Sequence, residues 1–310
     1  MNNSFYSNGK LLITGEYVVL DGAESLAIPT RFGQNLSVKK LNEPKLIWES
    51  YTDNDELWIQ VEFDLPRLRI ISATFDANQD GGNDSLAEDL QIILFEAKKL
   101  NDEFLFNESG FYVRSKLTFP RNWGLGSSST LINNVAQWAK IDAFELQFKT
   151  FGGSAFDIAC AQNNSSIIYR LTNQKPVIKS IDFNPDFKEQ LFFVHLNKKQ
   201  NSREGIAAYQ KIKENNTTVV DEISALTHQI IKCKTLSCFE VLLLDHERII
   251  SNLINQEPIQ EKLFSNYFGQ TKSLGAWGGD FILATGNDDT ISYFNKKGYH
   301  TIIPYSEMTL

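Results

Sequence analysis

One stretch constrains this chain more than any other: Pro120-Arg121-Asn122-Trp123-Gly124-Leu125-Gly126-Ser127-Ser128-Ser129-Thr130. The alternating run before it, Phe111 to Phe119, reads as a strand. The apolar residues of Leu131 to Lys140 after it fall at helical spacing. A chain that passes from strand to helix through such a turn brings its backbone close to a ligand at the glycines. The unused N–H groups of the helix start then face that ligand with the positive end of the dipole. Successive serine hydroxyls add donors and a candidate metal ligand. This is the pattern of a phosphate cradle, although the Lys that closes a Walker A loop is absent. A Ser-rich linker, or a helix N-cap carrying extra serines, is the plainer reading of the same residues.

Composition narrows the field. A chain of 310 residues can bury a large core in two lobes or one bilobal unit, and its 42% apolar and 22% charged content is that of a globular protein. A net charge of −8 argues against nucleic acid as the main partner, since phosphate backbones select basic faces. It leaves room for small anions held by local Lys, Arg and N–H groups. Cys160, Cys233 and Cys238 form no metal-type cluster, and their odd number fits a reducing compartment. The first residues show no basic-then-apolar leader, and no apolar run approaches the ~20 residues of a membrane span. The expected location is the cytoplasm, with no membrane partner.

Along the chain, Asn8-Gly9 and Asp21-Gly22 bracket what reads as two short strands, a plain hairpin with a solvated Lys10. Ala27 to Thr30, Leu36 to Val38 and Leu57 to Val61 read as further strand pieces. Gln79 to Asp84 is a break, after which Asp84 or Ser85 caps a helix whose Leu86, Leu90, Ile93, Leu94 and Ala97 share a face. Asp142 opens another helix. Small residues then surround one acid in Gly152-Gly153-Ser154-Ala155-Phe156-Asp157, with Ser154 as an expected cap and Asp157 at the third helical position. Leu191 to Leu196 reads as a buried strand, where His195 is a satisfied core or rim histidine. A basic and hydroxyl cluster follows, Lys198, Lys199, Ser202 and Arg203, which as a charge run is solvent-exposed by default. Ile206 to Lys213, Val219 to Lys232 and Phe239 to Ile254 read as helices. A tight glycine turn, Gly275 to Gly279, precedes a strand from Phe281, and Ile302-Ile303 reads as an edge strand.

With Pro120 four residues ahead of Gly124, the loop resembles the ATP-binding motif of the GHMP kinases, the family of galactokinase, homoserine kinase, mevalonate kinase and phosphomevalonate kinase. Two further stretches agree in family order. Gly9-Lys10 followed by Gly15-Glu16-Tyr17 resembles the first motif, with Asn8 where a Pro is usual. Lys272 to Asp280 resembles the third, with Trp277 where a Gly is usual, so that this loop closes differently or lines the substrate pocket. The Gly152 to Asp157 segment is similar to the acceptor-side segment of mevalonate and phosphomevalonate kinases, with Ala155 in place of a Gly.

The resemblance implies an α+β, two-lobed fold. Its N-terminal lobe would be like ribosomal protein S5 domain 2 and its C-terminal lobe ferredoxin-like, with ATP and substrate between them. A boundary near residue 165 (1–165 and 166–310) follows the shift in composition. The resemblance further implies that Lys10 and Asp157 act at the acceptor hydroxyl, and that Gly124, Leu125, Gly126, Ser127, Ser128 and Ser129 hold the ATP phosphates. Ser128 is the implied Mg2+ ligand. Glu145 is a second candidate, but its spacing to Asp157 departs from the mevalonate kinase pattern, and a solvated helix residue is its plainer reading. Glu16, Tyr17, Ser154, Ser202, Gly278 and Gly279 fall on the substrate side. The expected function is transfer of the ATP γ-phosphoryl group to a mevalonate-type small molecule, phosphomevalonate ahead of mevalonate. Another GHMP acceptor, or a GHMP-fold binding or regulatory protein without catalysis, is the alternative. Retention of Lys10, Ser128 and Asp157 together argues against the last.

Overall fold

The computed structural model describes residues 3–76, 83–106, 109–200, 202–212 and 216–310. The chain opens with β1 (Asn3–Leu12), β2 (Ser25–Leu41), β3 (Lys45–Tyr51), β4 (Leu57–Asp64) and β5 (Ile70–Phe75). Then come α1 (Asn83–Leu100), β6 (Gly110–Leu117), α2 (Ser127–Ala139), α3 (Ala143–Thr150) and α4 (Phe156–Gln162). It continues through β7 (Ile167–Thr172), β8 (Lys175–Ser180), β9 (Leu191–His195), α5 (Ser202–Ile212), α6 (Thr217–Lys232), α7 (Leu236–Ile254) and α8 (Ile259–Leu263). The last elements are β10 (Thr271–Ser273), β11 (Phe281–Thr285), α9 (Asp289–Lys296), β12 (Ile302–Pro304) and α10 (Tyr305–Met308). The fold is mixed α+β, as expected.

Two compact units share these elements, and neither is a single run of sequence. The first holds the chain through Gly9, Phe32–Arg121 and Leu125–Gln162, and the second holds Lys10–Arg31, Asn122–Gly124 and Asn163–Leu310. Lys10–Arg31 and Asn122–Gly124 thus group with the second unit, although they precede the expected boundary near residue 165.

In the first unit the strands lie in the order β5-β4-β3-β6-β2, with β3 and β6 parallel and the other neighbours antiparallel. β3 and β4 alternate buried and half-buried residues, the period-two pattern of a sheet covered on one face. Trp48, Val61, Phe63 and Val113 from that face pack with Leu90, Ile93, Leu94 and Ala97 of α1 and with Ile132, Val135 and Ala136 of α2. The apolar face of α1 is the one its periodicity predicts. The helix begins at Asn83, slightly ahead of the expected caps, and the Gln79–Gly82 break lies outside the described residues.

In the second unit β9, β10, β11 and β12 form an antiparallel sheet in the order β10-β11-β9-β12. Strand, helices, two strands, helix and strand along the chain, with the strands in that spatial order, make a split β-α-β, the ferredoxin-like topology expected from the resemblance. Ser25–Ala27 of β2 pairs with β7, which pairs with β8.

Several local readings differ. β1 runs straight through Asn8-Gly9, and Asn8 is buried within it. Val18–Asp21, strand-like by composition, winds into a 3-10 turn instead. Gly15 at φ 90 reverses the chain just before, and short-range bonds from Leu20 N to Tyr17 O and from Ala23 N to Val18 O close the turn. The two strand pieces around Pro29 are one strand. Pro29 falls between the residues of β2 that pair with β7 and those that pair with β6, so its missing N–H interrupts neither of those two ladders, and β1 pairs with β2 as well. α4 starts one residue later than expected. The residue before that helix is Ala155, at φ 60, and Asp157 is the second helical residue.

Candidate functional site

In the first unit, the glycine loop delivers α2 with its first turn made of the serines themselves. Gly126 precedes the helix at φ 88, a left-handed conformation that glycine alone adopts without strain. The hydroxyls divide by direction. Ser129 Oγ donates to Gly126 O at 2.9 Å, and Thr130 Oγ1 donates to Gln34 Oε1 at 2.6 Å, so both are buried fasteners of the helix start. Ser127 is half-buried and Ser128 exposed. Among the described residues neither hydroxyl bonds to the protein. Leu125 is fully buried, so any ligand contact there is through its backbone. The helix start is braced from beneath. Asn134 Nδ2 donates to Gln34 O, Ser7 Oγ donates to Asn134 Oδ1 at 2.8 Å, and Asn133 Nδ2 donates to Ser7 Oγ. Gln162 Nε2, at the end of α4, donates to Asn133 Oδ1 at 3.0 Å and so ties α4 to α2.

Also in the first unit, Asp157 sits half-buried in the first turn of α4, behind a turn in which Gly152, Gly153 and Ala155 all have positive φ. A Cβ added at Gly152 or Gly153 would meet nothing within 4 Å, so these glycines serve the turn and not a close contact. Ser154 is buried beside them. Glu145 lies on the solvent face of α3, 3.8 Å from Lys149 one turn on. Among the described residues no three His, Cys, Asp or Glu side chains form a metal-type group. The fit to Mg2+ therefore rests on the exposed, unengaged Ser128 hydroxyl in the first turn of α2. That donor set suits an ion held mainly by nucleotide phosphates.

The second unit gathers residues from all three motifs around one carboxylate. Asp280, at φ 52 just before β11, is held by its backbone between Lys198 O (2.7 Å from Asp280 N) and Leu196 N (2.8 Å from Asp280 O). Its Oδ1 accepts from Gln200 N at 3.1 Å. A Cβ on Gly124 would stand 2.3 Å from the Asp280 carboxyl carbon, so the first glycine of the loop is packed directly on this acid. Burial raises the Asp280 pKa, while the Gln200 N–H and the charges of Lys10, His195 and Lys199 pull the other way. Lys10, from the start of the chain, thus faces Asp280, from its end. The flanking tripeptide is fixed as well. His195 Nε2 bonds to Asn122 O at 3.0 Å, and the Trp123 and His195 rings both pack on Phe281. His195 is the satisfied core histidine expected. Gly279 approaches the 198–200 backbone closely, where a Cβ would come within 2.7 Å of Lys198 O, and Gly278 turns at φ 85. Lys198 and Lys199 are exposed, and α5 begins at Ser202, whose side chain lies outside the described residues.

Beneath this cluster is a buried polar set that the sequence did not signal. Glu16 and Lys272 are both fully buried and pair at 2.5 Å, with Lys272 Nζ also donating to Ser273 O. His246 Nε2 accepts from Gly15 N at 3.0 Å, and the neighbouring Glu247 accepts from Ser273 N and from Ser273 Oγ. Burial raises the Glu16 pKa against the opposing pull of Lys272, pushes Glu247 up to about 8, and drives His246 well below its ordinary value. Glu16, expected on the substrate side, therefore spends its carboxylate on Lys272. Tyr17 is likewise inward. Its hydroxyl donates to Ala276 O at 2.8 Å and its ring packs on Tyr209. Trp277 does not line a pocket. At φ 51 it turns its indole into the core formed by Tyr17, Val18, Tyr209, Ile223 and Ile250.

Several solved structures with this architecture are kinases of small molecules. The mevalonate kinase of Methanococcus jannaschii superposes with a TM-score of 0.70 at 16% identity, covering 98% of this chain and 97% of its own. The phosphomevalonate kinase of Streptococcus pneumoniae, solved with phosphomevalonate and AMPPNP, gives 0.66 at 14% identity and 95% of each chain. The galactokinase of Lactococcus lactis, solved with galactose, gives 0.65 at 13% identity, covering 95% of this chain and 88% of its own.

The chain has the GHMP kinase fold.

No protein-family model and no curated sequence matches it, so the likeness is one of architecture. Within the GHMP fold, the three motif stretches read from the sequence occupy a loop-and-helix start in one unit and a carboxylate-centred cluster in the other. Asp280 is the functional candidate that sequence reading passed over. Its only signal was its place at the end of the third motif. Lys272 stood in that motif too, but His246 and Glu247 look like the polar face of any amphipathic helix.

Proposed function

We propose that this chain is an ATP-dependent small-molecule kinase that transfers the γ-phosphoryl group to a mevalonate-type acceptor, phosphomevalonate ahead of mevalonate, in the cytoplasm. The observation that carries the reading is the convergence on Asp280 of Lys10 and Gly124, from two separate motif stretches, and of Lys199 from the basic loop after β9. Phosphoryl transfer asks a protein mainly for positioning and charge stabilisation. The amides and open hydroxyls of Ser127 and Ser128 suit nucleotide phosphates. Lys10 supplies a cation for charge on the transferring group, and Lys199 one for an anionic substituent of the acceptor. Asp280 places a carboxylate within electrostatic reach of both cations. Asp157 orients the acceptor hydroxyl. Ser128 would hold Mg2+, which when bound neutralises phosphate charge. Glu145, on an exposed helix face with Lys149, has no part in this reading.

The test is release of ADP by the purified protein with Mg-ATP, offering phosphomevalonate and mevalonate in parallel. Turnover on one acceptor that falls by about 10²-fold or more in Asp157→Asn, with ATP binding kept, is the expected result. Turnover on neither acceptor would overturn the substrate assignment. Unchanged turnover in the variant would remove Asp157 from the reaction.

A further inference from the structure

We propose that Cys233 and Cys238 form a thiol modification site, a dithiol that small disulfides of the glutathione class oxidise to an intramolecular disulfide. The two sulfurs stand 2.8 Å apart, inside the contact distance of two unbonded sulfur atoms. Closing them to the about 2.05 Å of a disulfide takes less than ~1 Å of travel. Their backbones are fixed where they need to be. Cys233 caps the C-terminus of α6, its N–H bonded to Ile230 O, and Cys238 lies in the first turn of α7, its N–H accepted by the capping hydroxyl of Thr235. The bond therefore forms between two helix ends already held in place, and neither helix has to unwind.

The two thiols have different parts. Cys238 is exposed and Cys233 is buried, so an oxidant in solution reaches Cys238 first. Burial and the contact with Cys238 push the Cys233 thiol up to about 12, so Cys233 keeps its proton until it attacks. In the first step Cys238 gives up its proton to water and its thiolate attacks one sulfur of R–S–S–R, forming Cys238–S–S–R and expelling R–S⁻. In the second, Cys233 gives its proton to that thiolate as its sulfur attacks Cys238 Sγ, expelling a second R–S⁻, which takes a proton from water. The protein loses two electrons and two protons in all, and the small disulfide gains them as two thiols. Cys160 is fully buried and takes no part. The site stands apart from the phosphoryl-transfer reading and does not depend on it.

The folded protein is incubated with oxidised glutathione, quenched with an alkylating reagent, digested and weighed. The expected product is the peptide spanning Cys233 and Cys238 lighter by two hydrogens, protected from alkylation and restored by dithiothreitol. Cys233→Ser, with Cys233→Ala as a second variant, is expected to trap the glutathione adduct on Cys238. A stable adduct on wild-type Cys238 in the same yield as in those variants would overturn the proposal. So would wild-type thiols that both remain open to alkylation.

Discussion

Gly124 and Asp280 constrain each other as single residues. Gly124 sits at φ 68, and a methyl group there would lie 2.3 Å from the Asp280 carboxyl carbon. Gly124→Ala therefore meets two penalties, a left-handed backbone worth about 1–2 kcal/mol and a clash with a fixed acid. Turnover is expected to fall by about 10²-fold, the scale of a 1 Å misplacement. Gly124→Ala/Asp280→Ala is expected to regain stability relative to Gly124→Ala in urea unfolding. No regain would show that the contact with Asp280 is not what demands glycine. Trp277 poses the reverse case. Trp277→Gly relieves a left-handed φ by about 1–2 kcal/mol but empties a buried indole site worth about 3–5 kcal/mol. A net loss of about 1–4 kcal/mol is expected, read as a lower urea midpoint. That Trp277 departs from the family pattern was legible in the sequence. Its destination was not, because the residues that receive it, Tyr209, Ile223 and Ile250, lie on helices whose packing no local pattern reveals. The same holds for Glu16, which reads as part of a motif and is in fact half of a buried pair.

At the level of elements, the turn at Gly15–Tyr17, the strand β10 and the helix α7 are joined by buried polar groups. Lys272→Met leaves Glu16 without its counter-charge and is expected to cost about 3–5 kcal/mol. Glu16→Gln/Lys272→Met removes both charges and is expected to be the more stable of the two variants in urea. A double variant worse than Lys272→Met would refute the pairing. Glu247 contributes a pH dependence. Its folded pKa of about 8 lies above the 4.5 of the unfolded chain. Its contribution to stability is therefore whole below pH 4.5 and is lost as pH rises toward and through 8. Glu247→Gln is expected to flatten that decline relative to wild type when urea midpoints are compared from pH 5 to 9. Parallel curves would mean the carboxyl is already ionised in the fold. Elements whose own periodicity repeats for several turns, α1, α2, α6 and α7, were legible from sequence. The 3-10 turn at Val18–Asp21 was not, since β-branched residues suggest a strand and only the reversal at Gly15 forbids one.

For the molecule as a whole, the order of the units along the chain is the governing fact. The chain passes between them five times, at Gly9/Lys10, Arg31/Phe32, Arg121/Asn122, Gly124/Leu125 and Gln162/Asn163. The second unit therefore contains Glu16 and the part of β2 that pairs with β7. A fragment of residues 166–310 lacks both and is expected not to fold alone. Circular dichroism and limited proteolysis of that fragment check this, and a cooperative, protease-resistant fragment would refute it. The α+β class and ferredoxin-like sheet were legible because motifs and strand signals arrive in a family order, whereas nothing in the composition of Lys10–Arg31 and Asn122–Gly124 marks them as parts of the second unit. This interleaving also bears on synthesis. Glu16 leaves the ribosome 256 residues before Lys272, and at ~5–20 residues per second the delay is roughly 13–50 s. Through that interval the newborn chain holds an acid with no base to meet it, so the second unit is completed only after Lys272 has emerged. A stalled ribosome would expose an unfinished product with its ion pair open, and chaperones and proteases would meet this chain in that form.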